Sequence, residues 1–468
     1  MEPFGVIAAC TWRNGIGLKG KLPWYIKDDL KHFQEQTTNN VVIMGAKTWI
    51  SLPKRPLPNR INIVITTQCT DDKIPIRAKD FDEALCLASE IVRTSSTPRR
   101  IFVIGGARVY ACALKHALCK NIILSQILND IECDTFMPPV CRKTFEIESV
   151  GDAVKGNAEN DIVYQIIYFV KKHEEFQFLD LVRNTIDTGT MKPNRTGIDA
   201  FAQFGCVMRY SLLNNTIPLF TTKRVWWRGV VEELLWFIRG HPDISQLHES
   251  VRKLWEEDVE RNGGDTGPIY PFQFKHFGAT YIKGKTNYDG EGRDQLQNVI
   301  DTIKTNPNDR RLIMCAWNAA QLEQMCLPPC HVLAQFFVDG KYLSCAMYQR
   351  SADLALGVPF NVASYSLLTC LIANHCGLVA REFVHFLGDT HVYNNHIEGL
   401  REQVERKPKP FPHIAFKPGV EHKPLEAIVF DDILLPDYEC HGPIKMQLNT
   451  GLNQDAQTKK AKTEIISQ

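Results

Sequence analysis

Leu327-Pro328-Pro329-Cys330-His331 is where the reading of this chain turns. Each proline fixes φ and removes a backbone donor, so the cysteine that follows is held rigidly. Further on, Tyr348-Gln349-Arg350-Ser351-Ala352-Asp353 sets a guanidinium beside a hydroxyl, a pair suited to charge-assisted hydrogen bonds to a phosphate. Pro359-Phe360-Asn361 then adds a carboxamide. A nucleophile, a phosphate clamp and a carboxamide follow one another in this half of a 468-residue chain. The long segment ahead of them reads as a second enzyme.

Composition bounds what that enzyme pair can be. At roughly 150 residues per domain the length suggests two or three domains, each able to bury a full core. The chain is 44% hydrophobic and 23% charged, with a formal net charge of +1. That balance gives no support to a non-specific nucleic-acid or membrane-surface binder, which needs a strong basic excess. Anionic substrates have to be met by local arginines.

The run Phe4–Cys10 lacks a basic flank and is too short for a signal peptide. No window reaches the ~18 apolar residues of a membrane span. The most apolar helical stretch, Ser364 to Ala380, is interrupted by Asn374, His375 and Gly377 and reads as a buried core helix. The 15 cysteines are odd in number and show neither CxxC pairs nor a regular framework, so no metal site is expected. Free thiols in a reducing, cytoplasmic compartment are the expectation, most of them acting as small buried hydrophobes.

Strand-like and helix-like stretches alternate from the start. Strands are expected at 4–10, 41–44, 61–66, 101–104, 121–127 and 162–170, and helices at 27–36, 80–93 and 107–115. The alternation argues for an α/β domain over 1–172, a mainly parallel sheet flanked by helices. Lys171-Lys172-His173-Glu174-Glu175 then steps directly into a helical pattern from Phe176 to Ile186, with no flexible linker. The part 173–450 mixes helices at 226–239, 293–306 and 360–375 with strands at 201–208, 312–317, 333–338 and 342–349, an α+β pattern. Residues 451–468 are polar, Lys-rich and aperiodic, and disorder is their expected state.

In the first part, Asp29 opens a helix after Leu22-Pro23-Trp24. An acid in a first helical turn is ordinarily a dipole partner. Other features accompany it: Val42-Ile43-Met44-Gly45 leading to Thr48-Trp49 is a strand running into a helix N-terminus, a natural phosphate seat. Val103-Ile104-Gly105-Gly106 with Val109-Tyr110 lets backbone approach a pyrophosphate closely. Arg60, in Pro58-Asn59-Arg60, can present a guanidinium to a carboxylate.

In this order the features resemble the dihydrofolate reductase family over nearly all of residues 4–170. The resemblance implies that Asp29 hydrogen-bonds the pterin, that Thr135 in Asp134-Thr135-Phe136-Met137-Pro138 orients it, and that Arg60 takes the folate glutamate carboxylate. Ala9, Leu30 and Phe33 would wall the pterin and benzoyl groups. Asn14-Gly15-Ile16-Gly17 to Trp24 matches the family's mobile loop, with Ile16 and Gly17 beside the nicotinamide of NADPH. Gly45, Lys47, Thr48, Gly105, Gly106, Arg108, Val109 and Tyr110 would hold the rest of that cofactor, and Thr66, Thr67 and Lys79 its 2′-phosphate. Ala46 stands where a basic residue is frequent, and Asn59 where glycine is usual.

The cysteine domain resembles the thymidylate synthase family across residues 174–448. Cys330 would be the nucleophile toward C6 of dUMP, its thiolate favoured by surrounding arginines. Arg195, Arg350 and Ser351 would grip the dUMP phosphate, with Gln349 among the substrate residues. Arg310 and Arg311 match arginines donated from the partner subunit of a homodimer. Asp353 and Asn361 would fix the pyrimidine ring, and His391 and Tyr393 the ribose. Asn361 suits uracil, whereas a cytosine ring calls for a carboxylate.

Glu233, in an apolar helix, is either exposed on the far face or buried with a task; the resemblance makes it organiser of the proton-transfer water network. Tyr270 would assist proton abstraction at C5, His331 follows the nucleophile, and Trp255, Phe360 and Leu356 would line the side taken by 5,10-methylenetetrahydrofolate. Asn194 and Pro271 depart from the family pattern, and Pro271 is expected to push Tyr270 toward extended angles. Family chains stop shortly after a sequence like Ile444-Lys445-Met446, so in this chain, which runs on to Gln468, closure of the site is expected to work differently. The fused arrangement implies methylation of dUMP coupled to NADPH-dependent reduction of the dihydrofolate produced. The alternative is an active reductase whose synthase half serves only as a dimerisation scaffold.

Overall fold

The computed structural model describes residues 1–69, 71–157, 160–194 and 196–449. Two compact units divide between Lys172 and His173. In the first unit the β-branched and aromatic runs become strands β1 (Phe4–Thr11), β2 (Gly15–Gly17), β3 (Val41–Gly45), β4 (Ile61–Ile65), β5 (Ile76–Ala78), β6 (Ile101–Gly105), β7 (Cys119–Ile127), β8 (Thr135–Phe136), β9 (Phe145–Val150), β10 (Val154–Asn157) and β11 (Asn160–Lys171). Its helices are α1 (Lys27–Thr37), α2 (Ala46–Ser51), α3 (Phe81–Thr94) and α4 (Ala107–Lys115).

Among the described residues one nine-stranded sheet runs β10-β11-β7-β1-β6-β3-β4-β5, with β9 also on β11. The strands from β7 to β5 are parallel, and β11 pairs antiparallel with β7, β9 and β10. Parallel strands covered on both faces are apolar throughout, and Val41 to Met44 are all buried. β9 has only its first residue buried. Register places Ala9 opposite Ser125, and Met44 beside Gly105. The carboxyl ends of parallel strands are where ligands lodge in such sheets.

The second unit comprises α5 (Phe176–Thr188), β12 (Thr190–Lys192), β13 (Ala200–Ser211), α6 (Trp227–Arg239), α7 (Glu249–Arg252), α8 (Glu256–Arg261), α9 (Tyr270–His276), α10 (Gln295–Thr305), β14 (Ile313–Cys315), β15 (His331–Asp339), β16 (Tyr342–Asp353), α11 (Gly357–His375), β17 (Val379–Tyr393) and α12 (Ile397–Glu405). Its six-stranded sheet has the order β12-β13-β17-β16-β15-β14. All pairs are antiparallel except β16 with β17. α11 is buried almost all round and packs in the same core as Trp236, Phe237 and Phe383.

Two expectations are corrected here. The apolar stretch 364–380 is helical only to His375; Gly377, at φ 66°, turns the chain and β17 begins at Val379. Pro271 does not extend Tyr270. Ile269 takes the extended conformation, Tyr270 opens α9, and Pro271 sits in the first turn, where its missing N–H is not needed. The disorder expected at 451–468 concerns residues outside those described.

Candidate active sites

In the first unit, Asp29 enters the first turn of α1 and is 9% exposed. Burial raises its pKa above the ordinary carboxylate value, opposed by a hydrogen bond with Ser125 and by His32. An acid so placed holds its proton more readily and gives a strong charge-assisted contact when ionised. Phe33 is half-buried, and the Arg60 guanidinium lies 5.9 Å from its ring centre. Arg60 donates to the Pro58 carbonyl and the Thr37 hydroxyl, both at 3.0 Å. Asn59 holds φ 56°, a left-handed angle that Asn tolerates better than most residues, so it can replace a glycine there.

The ends of β3 and β6 form a cradle free of side chains. A Cβ at Gly106 would stand 3.1 Å from Thr48 Oγ1, and one at Gly45 would stand 3.2 Å from Val109 Cγ2. Gly105 holds φ 129°, which suits glycine alone. Gly106 caps α4, whose first N–H groups and dipole favour an anion. Tyr110 donates to the Ile7 carbonyl at 3.0 Å and ties α4 to β1. A cleft of about 800 Å³ is lined by Lys47, Thr66, Thr67 and Arg108, with Ala46 and Arg55.

Lys79 follows β5, and its backbone N–H donates to Glu83 at 2.7 Å. Thr135 is exposed on a two-stranded ribbon opposite Gly17, and its hydroxyl donates to Asp134 at 2.8 Å. The adjacent carboxylate takes the hydroxyl, and Ser125 contacts Asp29 instead.

In the second unit the nucleophile loop is tied on both sides. The Cys330 N–H donates to the Tyr270 hydroxyl at 2.7 Å, and the Arg350 N–H donates to the Cys330 carbonyl at 2.9 Å. The Arg350 fork donates to the Pro329 and Pro328 carbonyls, each at 2.8 Å, and lies 5.3 Å over the Trp317 ring. Prolines lack donors but keep acceptors, so a Pro-Pro pair makes a seat for a guanidinium. This brings a positive charge to the cysteine. Tyr270 is buried, and burial, with Cys330 next, raises its pKa well above the ordinary value.

Glu233 is buried, not on a far face. Burial raises its pKa to about 7, and Trp255 Nε1 donates to it at 2.8 Å. Burial also lowers His331 to about 4, against a hydrogen bond with Asn361. The parallel register of β16 and β17 sets Ser351 beside Asp389 and Asp353 beside His391. His391 pairs with Asp389 at 3.1 Å, and its ring meets Tyr393 edge-on. Phe360 and Leu356 pack partly buried against the core.

Arg195 lies outside the described residues. Its neighbour Asn194 accepts from the Thr196 N–H and hydroxyl and donates to the Ile198 carbonyl. Arg310 is exposed, and its carbonyl accepts from Gln335 Nε2 at 3.0 Å. Arg311 is turned onto Asp309, with its side chain 87% exposed. Segment 444–449 is held through a Gln447 carbonyl bonded to His396 at 2.7 Å and reciprocal amide bonds between Asn395 and Asn449.

A family model described as dihydrofolate reductase matches residues 3–171, and one described as thymidylate synthase matches residues 176–450. The chain is 41% identical to the bifunctional dihydrofolate reductase-thymidylate synthase 2 of Arabidopsis thaliana, over 95% of this chain and 88% of that protein. This chain belongs to the bifunctional dihydrofolate reductase–thymidylate synthase family. The Leishmania major protein of that name is 40% identical over 96% of this chain and 95% of its own, and the Paramecium tetraurelia one is 39% identical over 96% and 99%.

Seen as a bifunctional reductase–synthase, the chain contains site residues that its sequence did not flag. Ser125 is a lone hydroxyl in an apolar strand run, and Trp317 a lone aromatic closing the apolar run from Leu312; both were available signals. His385, inside β17, had none. Among the described residues no helix is long and apolar enough to cross a membrane.

Proposed function

We propose that residues 1–172 reduce dihydrofolate to tetrahydrofolate and that 173–450 convert dUMP to dTMP with 5,10-methylenetetrahydrofolate, releasing the dihydrofolate that the first site consumes. One observation carries the reading: each matched unit buries a carboxylate, Asp29 or Glu233, and burial raises its pKa. Perturbed acids of this kind cluster at catalytic sites.

In the reductase, the cradle at Gly45, Gly105 and Gly106 fits a pyrophosphate, and Lys47, Arg108, Thr66 and Thr67 fit the phosphates of NADPH. NADPH supplies the hydride when bound. Asp29 binds the pterin amide edge and favours its protonated form, while Phe33 and the exposed Leu30 form apolar walls. Arg60 meets the substrate's carboxylate.

In the synthase, Cys330 as thiolate forms a bond to C6 of dUMP, and C5 becomes the nucleophile toward the folate methylene carbon. The C5 proton then leaves with the help of Tyr270 and Glu233 as the folate amine is expelled, which leaves an exocyclic methylene on C5. A hydride from the tetrahydrofolate so released reduces that methylene to the methyl group, giving dihydrofolate, and the C5–C6 double bond re-forms as the Cys330 thiolate departs. Arg350 holds both the loop and the phosphate.

The homodimer is part of the proposal. Val207 stands opposite Phe386, and Phe386 beside Tyr348, on a sheet face left open, and all three are exposed. An apolar face of this kind favours a second copy. The 15 cysteines, an odd number without CxxC pairs or a regular framework, support a reducing, cytoplasmic setting.

The test follows absorbance with the full chain. Methylenetetrahydrofolate should give dihydrofolate only when dUMP is present, and added NADPH should consume it. Reductase activity without dUMP-dependent dihydrofolate would favour the scaffold alternative.

A further inference from the structure

Uracil carries an acceptor at C4 and cytosine a donor. A carboxamide can serve either, depending on which end it presents. Asn361 by itself therefore leaves the choice open, and its orientation has to be imposed from behind.

Gln349 lies in β16 and is 2% exposed. Its Nε2 donates to the Ser351 carbonyl and to Asn361 Oδ1, both at 2.9 Å, and its Oε1 is 2.8 Å from His385 Nε2. A backbone carbonyl can only accept, so the amino end of Gln349 must face Ser351. The second hydrogen of that amino group then requires the oxygen of Asn361. Asn361 keeps its own N–H groups on the opposite side of the amide, as a 4-oxo ring needs.

The other end of Gln349 is an acceptor in the core, and it needs a donor. His385 is fully buried in β17, and burial, with His331 next, lowers its pKa to about 3, so the ring is neutral with one proton. That proton belongs on Nε2, facing Gln349.

We propose that His385, through Gln349, is the positioning residue that holds Asn361 in the orientation selecting a 4-oxo over a 4-amino pyrimidine. The inference rests on the dUMP reading above. His385 touches no substrate. Without it, Gln349 Oε1 is a buried acceptor with nothing to accept from, and the amide is released to rotate, taking Asn361 with it.

The experiment compares KM for dUMP with the inhibition constant of dCMP, using the full-length chain and methylenetetrahydrofolate. His385→Leu should lower the discrimination ratio by roughly ten-fold or more. His385→Gln, which can place an N–H near the same point, should restore it. Gln349→Glu, an acceptor that attracts the amino end of Asn361, should move the ratio further toward dCMP. An unchanged ratio in His385→Leu, or in Gln349→Glu where the former does not fold, overturns the relay while leaving the synthase reading intact. A wild-type chain inactive with dUMP overturns both.

Discussion

Asp29 illustrates how one side chain trades stability for chemistry. Burial raises its pKa, so ionisation at neutral pH costs more in the folded chain than in the unfolded one. Asp29→Asn should lower hydride transfer at pH 7 by about 10²-fold or more, since the amide cannot favour a protonated pterin. The same change should raise the thermal midpoint at pH 7. That gain should vanish as pH falls below the unfolded pKa of about 3.9, where the acid is neutral in both states. Steady-state rates and thermal melts across pH check both halves.

Glu233 follows the same sign. Its folded pKa lies near 7, so the protonated acid stabilises the fold. That contribution is full below the unfolded pKa and is lost as pH rises through about 7, a change on the order of 3 kcal/mol. Urea midpoints at fixed protein concentration should fall over this range in the wild type and stay flatter in Glu233→Gln, which should also lose the limb near 7 in the kcat profile. Equal slopes in the two proteins would remove the burial argument.

At the scale of elements, the start of the second unit is organised by a different acid. Glu175, buried at the head of α5, accepts from the N–H and hydroxyl of both Thr221 and Thr222 at 2.5 to 2.8 Å. Gln403 of α12 donates in turn to the Thr222 hydroxyl at 3.0 Å. One carboxylate thus joins two helices to the turn that carries Lys223. Glu175→Ala leaves four interior donors without their acceptor and should cost about 3–5 kcal/mol, read as a lower urea midpoint. Glu175→Gln, keeping one acceptor oxygen, should cost less. A similar set of carboxamides, Gln273, Gln321, Asn318 and Gln295, fastens α9 to the segment around Cys315 and so sets where Tyr270 stands.

For the whole molecule, the proposed shared site makes a quantitative pattern. Pair a Cys330→Ser chain with an Arg310→Ala, Arg311→Ala chain, each inactive alone. If the arginines cross the two-fold axis, one site of the mixed dimer collects both lesions and the other collects neither. Random 1:1 reassociation should restore about one quarter of wild-type synthase activity, since about half the dimers are mixed and each has one good site of two. Arginines acting within their own chain would give no recovery. Nil activity after demonstrated subunit exchange would therefore falsify the shared site.

The sequence by itself determined the two enzymes, their order, the mainly parallel sheet and the residues whose chemistry is visible in their type: Cys330, Arg350, Asn361 and Asp29. These were legible because local propensity and side-chain chemistry depend on near neighbours. Whether Glu233 was buried, that Ser125 and not Thr135 contacts Asp29, and that the Pro328 and Pro329 carbonyls seat Arg350 were decided only by the tertiary structure. Burial and hydrogen-bond partners arise from strand register and helix packing between distant segments. The long strand β17 shows the same limit: its polar and apolar residues make sense only once β13 and β16 lie on either side, and with it His385 comes to face Gln349.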